Sequence, residues 1–221
     1  MSMQLTIVQQ ISVWLLPITF AITFHEVAHG YVAYLLGDRT ARNFGRLTLN
    51  PLKHLDIIGT IVVPLASYLF GGIIFGWAKP VPVDTSNFSN PKSGFALVSL
   101  AGPLANFFMT IIWVAVTKLG IMLLAMDFSW AYGIYYMGKA GIEINLVLAI
   151  LNLLPIPPLD GWHIVVGLLP RDFVTFCYKI EHYGLIILVM LISSGILGRL
   201  IGPAIDGLET SLFHIFNLYL L

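Results

Sequence analysis

The sequence predicts an all-α polytopic membrane protein. Of its 221 residues, 58% are hydrophobic and only 10% are charged, and its mean hydropathy is +0.89. An ordinary soluble domain is roughly 45–50% apolar and 25% charged, and a chain of this size could not hide the excess. The apolar runs also exceed the roughly 20 residues that carry a helix across the hydrocarbon core, and are far too long for barrel strands. Backbone groups in lipid must be satisfied within their own segment, so these runs are helices.

The first run covers about Leu5 to Leu36, and no basic region precedes it, so it reads as a retained helix rather than a cleavable signal. The second, Ile57 to Trp77, carries Pro64, Gly71, Gly72 and Gly76. The third is Gly94 to about Met126. The fourth runs from Ala131 to Leu169 and is broken by Pro155, Pro157 and Pro158. The fifth is Gly184 to Ile205, followed by a short apolar tail, Leu208 to Leu221, suited to the membrane interface.

The loops hold Arg39, Arg42, Arg46 and Lys53, then Lys79 and Lys92, then Arg171 and Lys179. The positive-inside rule puts all three loops on the cytoplasmic side. The first two share that side only if the segment 57–77 enters and returns as a re-entrant or hairpin excursion. The expectation is about five to six membrane segments, with the fourth a broken helix. No polar stretch is long enough for a separate soluble domain, so residues 1–221 read as one membrane domain, with a core at 11–170 and additional helices at 180–221.

Lys+Arg and Asp+Glu number 11 each, so there is no basic excess for nucleic acid. The single Cys177 excludes an intrachain disulfide framework.

Against this apolar background, His25-Glu26-Val27-Ala28-His29 stands out. Positions i and i+4 share a helix face, so two imidazoles there can grip one metal ion. Three ionisable side chains in a membrane segment are costly and usually functional. A catalytic zinc site commonly takes three protein ligands. Glu143, Asp160 and His163 are the candidates for the third. Glu143 follows Lys139 by four residues and reads better as an interfacial ion pair.

Depth favours Asp160. His25 precedes Leu36 by 11 residues, roughly 16 Å of helix. Asp160 precedes Pro170 by 10 residues, roughly 15 Å from the same side. The alternative for Asp160 is a helix N-cap after the proline break. His163, one turn on, is a weaker ligand candidate or a partner of a ligand. His54 reads as a residue of the basic loop.

These stretches resemble the site-2 protease family of intramembrane zinc metalloproteases, in its compact subgroup without a PDZ domain. The resemblance rests on Phe24-His-Glu-Val-Ala-His-Gly30, Ala101-Gly-Pro-Leu-Ala-Asn106 and Asn152-Leu-Leu-Pro-Ile-Pro-Pro-Leu-Asp-Gly161, in that order. Trp162-His163 departs from the small residue and Arg that many relatives carry there. The resemblance implies one zinc ion per chain held by His25, His29 and Asp160, with Glu26 as catalytic base. It also implies a transmembrane protein or peptide substrate cut within the bilayer. It places the protein in a prokaryotic cell (inner) membrane, with the active site opening toward the cytoplasm.

Asn152 is a candidate for contact with the substrate backbone or transition state, balanced against satisfying carbonyls freed by Pro155. Asn106 is a second such candidate, with packing and hydrogen bonding the favoured role. Lys79-Pro-Val-Pro-Val83 cannot be a helix and reads as an edge strand or extended loop, either a candidate edge for strand addition by an unwound substrate or simply an interfacial loop. The competing class is a non-enzymatic metal-binding membrane transporter or scaffold. Glu26 discriminates, because a pure binding site gains nothing from a carboxylate beside its first ligand.

Overall fold

The computed structural model describes residues 6–56, 59, 76 and 78–220. Among them there are eight helices and no strand. We label them α1 (Ile7–Leu35), α2 (Thr40–Asn43), α3 (Pro91–Leu124), α4 (Ala131–Asn152), α5 (Asp160–Leu168), α6 (Arg171–Glu181), α7 (Gly184–Ser193) and α8 (Ile196–Phe216). The segment expected to be re-entrant, 57–77, lies outside the described residues apart from Gly59 and Gly76.

Among the described residues, three helices are long and apolar enough to cross a membrane: α1, α3 and α4. A fourth span arises if Asp172–Glu181 and Gly184–Ser193, bent by 59° at their junction, count as one. At 29 and 34 residues, α1 and α3 are about 44 and 51 Å long. Both exceed the roughly 30 Å hydrocarbon core and project beyond it.

Local chemistry sets the ends of these helices. Thr6 and Gln9 form a reciprocal capping box at the start of α1. Asn90 caps α3, with Pro91 in its first turn. The fourth run breaks where expected, since α4 ends at Asn152 and α5 begins at Asp160. The fifth run does not continue from Gly184 to Ile205. Gly195, at φ +70°, takes a left-handed conformation that closes α7 and opens α8. The expected tail is then largely the end of α8, and Leu218 beyond it is fully buried.

Helix α3 is the hub, packed on α1, α4 and α5. Met109, Trp113 and Val114 of α3 meet Ile142 and Leu146 of α4 and Ile201, Ile205 and Phe213 of α8 in the main apolar core.

The polar loops are joined to one another at Asp38, which has no solvent exposure. One oxygen accepts from the Thr40 backbone N–H (3.0 Å), the Thr40 hydroxyl and the Asn87 amide (2.8 Å). The other accepts the Asp84 N–H at 2.8 Å. His54 is also buried, its Nε2 donating to the Thr48 carbonyl at 2.9 Å. Its own carbonyl accepts from Lys79 N–H at 2.9 Å, and Arg46 donates to the Lys79 carbonyl at 2.7 Å.

Burial pushes the Asp38 carboxyl up, but the hydrogen bonds from Thr40, Asp84 and Asn87 outweigh it and leave the group below its usual range. A depressed native pKa stabilises the fold above the unfolded carboxyl pKa of about 3.9 and is lost as pH falls through the native value. We expect Asp38→Asn to lower the thermal midpoint at pH 7, and the gap from wild type to narrow below about pH 4. A gap independent of pH, measured by thermal unfolding in detergent, would contradict this role.

Candidate metal centre

Helices α1, α3 and α5 build the site. His25 and His29 stand one turn apart on α1, and both are 9% exposed. Asp160 opens α5. It does not cap that helix, because the N-cap position is Leu159 and no side chain bonds there.

Each imidazole is held from behind by α3. His29 Nδ1 lies 2.7 Å from the Val98 carbonyl, which can only accept, so Nδ1 carries the proton. His25 Nδ1 lies 2.6 Å from Asn106 Oδ1. The Asn106 amide nitrogen donates to the Ala21 carbonyl (3.1 Å) and to Asn145 Oδ1 (2.9 Å), which fixes Oδ1 toward His25. His25 Nδ1 therefore also carries the proton. Val98, Gly102 and Asn106 recur at intervals of four on one face of α3. His25 pairs with Asn106 and His29 with Val98, so α1 and α3 run antiparallel past each other.

Both Nε2 atoms are then lone-pair acceptors, and they face each other at 3.0 Å. Asp160 Oδ2 lies 3.1 Å from His25 Nε2 and 3.4 Å from His29 Nε2. Two acceptors at that distance cannot share a hydrogen bond and repel. A cation between them removes the conflict. Ligand atoms at zinc's usual bond lengths of about 2.0–2.1 Å stand about 3.3 Å apart in a tetrahedron. The observed triangle, 3.0, 3.1 and 3.4 Å, is one face of such a figure. The donor set of two neutral imidazoles and a carboxylate suits zinc. Among the described residues, His25, His29 and Asp160 form the one group placed to hold a metal ion.

The other expected residues lie around this centre. Glu26 Oε2 accepts the Val81 N–H at 2.8 Å, so the stretch Lys79–Val83 lies across its carboxylate. That stretch forms neither helix nor strand, and Val81 is buried. Asn106 is wholly buried, with both ends of its amide occupied within the protein. Asn152 donates to the Leu148 carbonyl of its own helix at 2.9 Å. His163 is not part of the triangle; it lies 3.9 Å from Glu181, with its ring tilted 53° against Phe95. Glu143 is remote, with Lys139, Glu209 and Asp206 as its charged neighbours.

Sequence reasoning overlooked Val98 and Asn145. Val98 acts through a carbonyl that every residue possesses, so no side-chain signal marks it. Asn145 did leave a signal, an amide within the apolar run of α4, where an unsatisfied polar group is costly.

The chain has clear relatives. The profile of Peptidase family M50 matches residues 118–192. A Bacillus subtilis (strain 168) protein provisionally named zinc metalloprotease YwhC is 38% identical over 208 residues, covering 91% of this chain and 90% of the relative. Rip2 of Mycolicibacterium smegmatis, with the same provisional designation, is 29% identical over 182 residues, 81% of this chain and 66% of the relative. MJ0611 of Methanocaldococcus jannaschii, similarly named, is 27% identical over 155 residues, 65% and 69% of the two chains. No solved structure matches.

A Cβ on Gly102 would fall 2.4 Å from His29 Nε2 and 2.6 Å from His25 Cε1, so only glycine lets α3 pass this close. We expect Gly102→Ala to weaken divalent-metal affinity by about 10–100-fold, the usual penalty for disturbing ligand orientation. Chelator competition on the purified protein measures it, and unchanged affinity would contradict the packing described.

Proposed function

The chain belongs to peptidase family M50, the site-2 proteases, and from that premise we propose that it cuts membrane-spanning peptides within the bilayer, using His25, His29 and Asp160 as zinc ligands and Glu26 as base. It is an integral membrane zinc metalloprotease acting on protein substrates, which sets aside the transporter or scaffold reading. The observation that carries the site assignment is the triangle of two imidazole lone pairs and one carboxylate oxygen.

Bound zinc supplies Lewis acidity at the scissile carbonyl and makes water nucleophilic near neutral pH. The chain's residues do the rest. The Val98 carbonyl and the Asn106 amide hold both imidazoles as Nε2 donors toward the ion. Asp160 adds the anionic ligand. Glu26, next to His25 on α1, takes a proton from the attacking water and returns it to the leaving amine. Asn106 acts by orienting His25 rather than by touching substrate, and its complete burial supports this. Asn152, half-buried at the end of α4 beside the break, keeps its amide oxygen for the substrate backbone.

Depth supports the intramembrane setting. His25 lies within α1, 11 residues from Leu36, roughly 16 Å from that end of the apolar run. The basic loops flank the same end, which supports an active site opening toward the cytoplasm of a prokaryotic (inner) membrane. Residues 1–221 form one protease domain, with the core at 11–170. About five to six membrane segments complete the proposed topology.

Glu26→Gln should keep stoichiometric zinc and lose about 10²–10⁴-fold in cleavage of a reconstituted single-span substrate. Asp160→Ala should lose the zinc. Full activity in the first variant, or full zinc in the second, would contradict the assigned roles. Mass spectrometry of the products locates the cut, and cleavage confined to the substrate's water-exposed loops would contradict the intramembrane reading.

A further inference from the structure

Asn106, the residue that holds His25, is itself held. Its amide nitrogen has two acceptors: the Ala21 carbonyl of α1 and Oδ1 of Asn145 on α4. Asn145 is fully buried. Its own amide nitrogen donates to the Gly141 carbonyl, one turn back on α4, at 2.8 Å. A backbone carbonyl only accepts, so this bond fixes which end of the Asn145 amide faces Asn106.

The sense of every bond in the chain is thereby set from a backbone anchor. The Gly141 carbonyl takes the Asn145 nitrogen, and Asn145 Oδ1 takes the Asn106 nitrogen. Asn106 Oδ1 takes the His25 Nδ1 proton, and His25 Nε2 is left bare toward Asp160. Reversing the Asn106 amide would set its oxygen against both the Ala21 carbonyl and Asn145 Oδ1, two buried acceptor–acceptor contacts. It would also present an N–H to His25 Nδ1 and push the imidazole proton to Nε2, where it would block the ligand position.

We propose that Asn145 is a positioning residue of the metal centre. It acts from α4, through Asn106, to hold His25 in the tautomer and ring orientation that exposes Nε2. The proposal rests on the reading of His25 as a ligand. It adds α4 to the elements on which the site depends, since α1 and α5 carry the ligands and α3 backs them.

The test is zinc affinity of the full-length protein in detergent, measured by chelator competition with zinc alone. Thermal unfolding of the metal-free protein is followed in parallel. Asn145→Leu should weaken zinc about 10-fold or more, at the lower end of the range for outer partners of a ligand. Asn145→Asp should recover to within about 3-fold, because a protonated carboxyl in this apolar site donates to Gly141 and accepts from Asn106. In an Asn106→Ala background, Asn145→Leu should weaken zinc no further. Wild-type affinity in Asn145→Leu overturns the proposal. So does equal weakening by Leu and Asp, or a full additional loss in the Asn106→Ala background. Should Asn145→Leu fail to fold, the Asp variant and the Asn106→Ala, Asn145→Asp pair carry the same comparison. Loss of affinity in the Asp variant then overturns it. His25→Ala separates the two levels. If it keeps wild-type zinc affinity, the ligand reading itself falls. If it loses zinc while Asn145→Leu does not, only the role of Asn145 falls.

Discussion

Two imidazole lone pairs and a carboxylate oxygen, mutually within 3.4 Å inside an apolar bundle, are the constraint on which the rest of this structure depends. With both Nε2 atoms unprotonated, each group repels the others unless a cation lies among them. A carboxylate buried among apolar helices is costly unless it is paired or binds a metal, and a lone pair facing a lone pair adds to that. Such an arrangement persists only where the surrounding helices hold it, and where metal binding offsets the cost. The fold can be read as the set of devices that impose this geometry.

Helix α3 is the principal device. Its Val98 carbonyl and Asn106 amide take the two Nδ1 protons, and the gap at Gly102 between them admits the rings. The proline break after α4 is the second. It ends one helix at Asn152 and starts another at Asp160, bringing a carboxylate to the depth of His25 from a separate segment. The loops form a third layer. Asp38, Arg46 and His54 tie the stretch before α3 to the end of α1, and so bring the Val81 N–H onto Glu26. Glu26 is thus the site residue in contact with the polar loops, while its neighbours His25 and His29 face the helices.

Much of the site was legible from residues alone. The i, i+4 pair of histidines needs only helical geometry to predict a shared ligand face. Asp160 was reachable by counting residues from the ends of two runs that the basic loops flank. The bonds that hold the ligands were harder to see, because a carbonyl such as that of Val98 has no sequence signature. Asn106 was read as a packing and hydrogen-bonding residue, but its partner His25 lies 81 positions away, and such pairing follows from helix packing. The same holds for Asp38, whose partners span Thr40 to Asn87. The break at Gly195 was missed because Ile, Leu and Gly on both sides keep the hydropathy high, and hydropathy does not register a positive φ.

The central claim is that His25, His29 and Asp160 hold one zinc ion, with both imidazoles bound through Nε2. Zinc K-edge X-ray absorption of the purified protein, with metal content determined on the same sample, tests this most directly. The account predicts one zinc per chain, with two imidazole ligands and oxygen ligands completing the shell at about 2.0–2.1 Å. A spectrum with one imidazole or none, or a protein that holds no stoichiometric zinc, would contradict it.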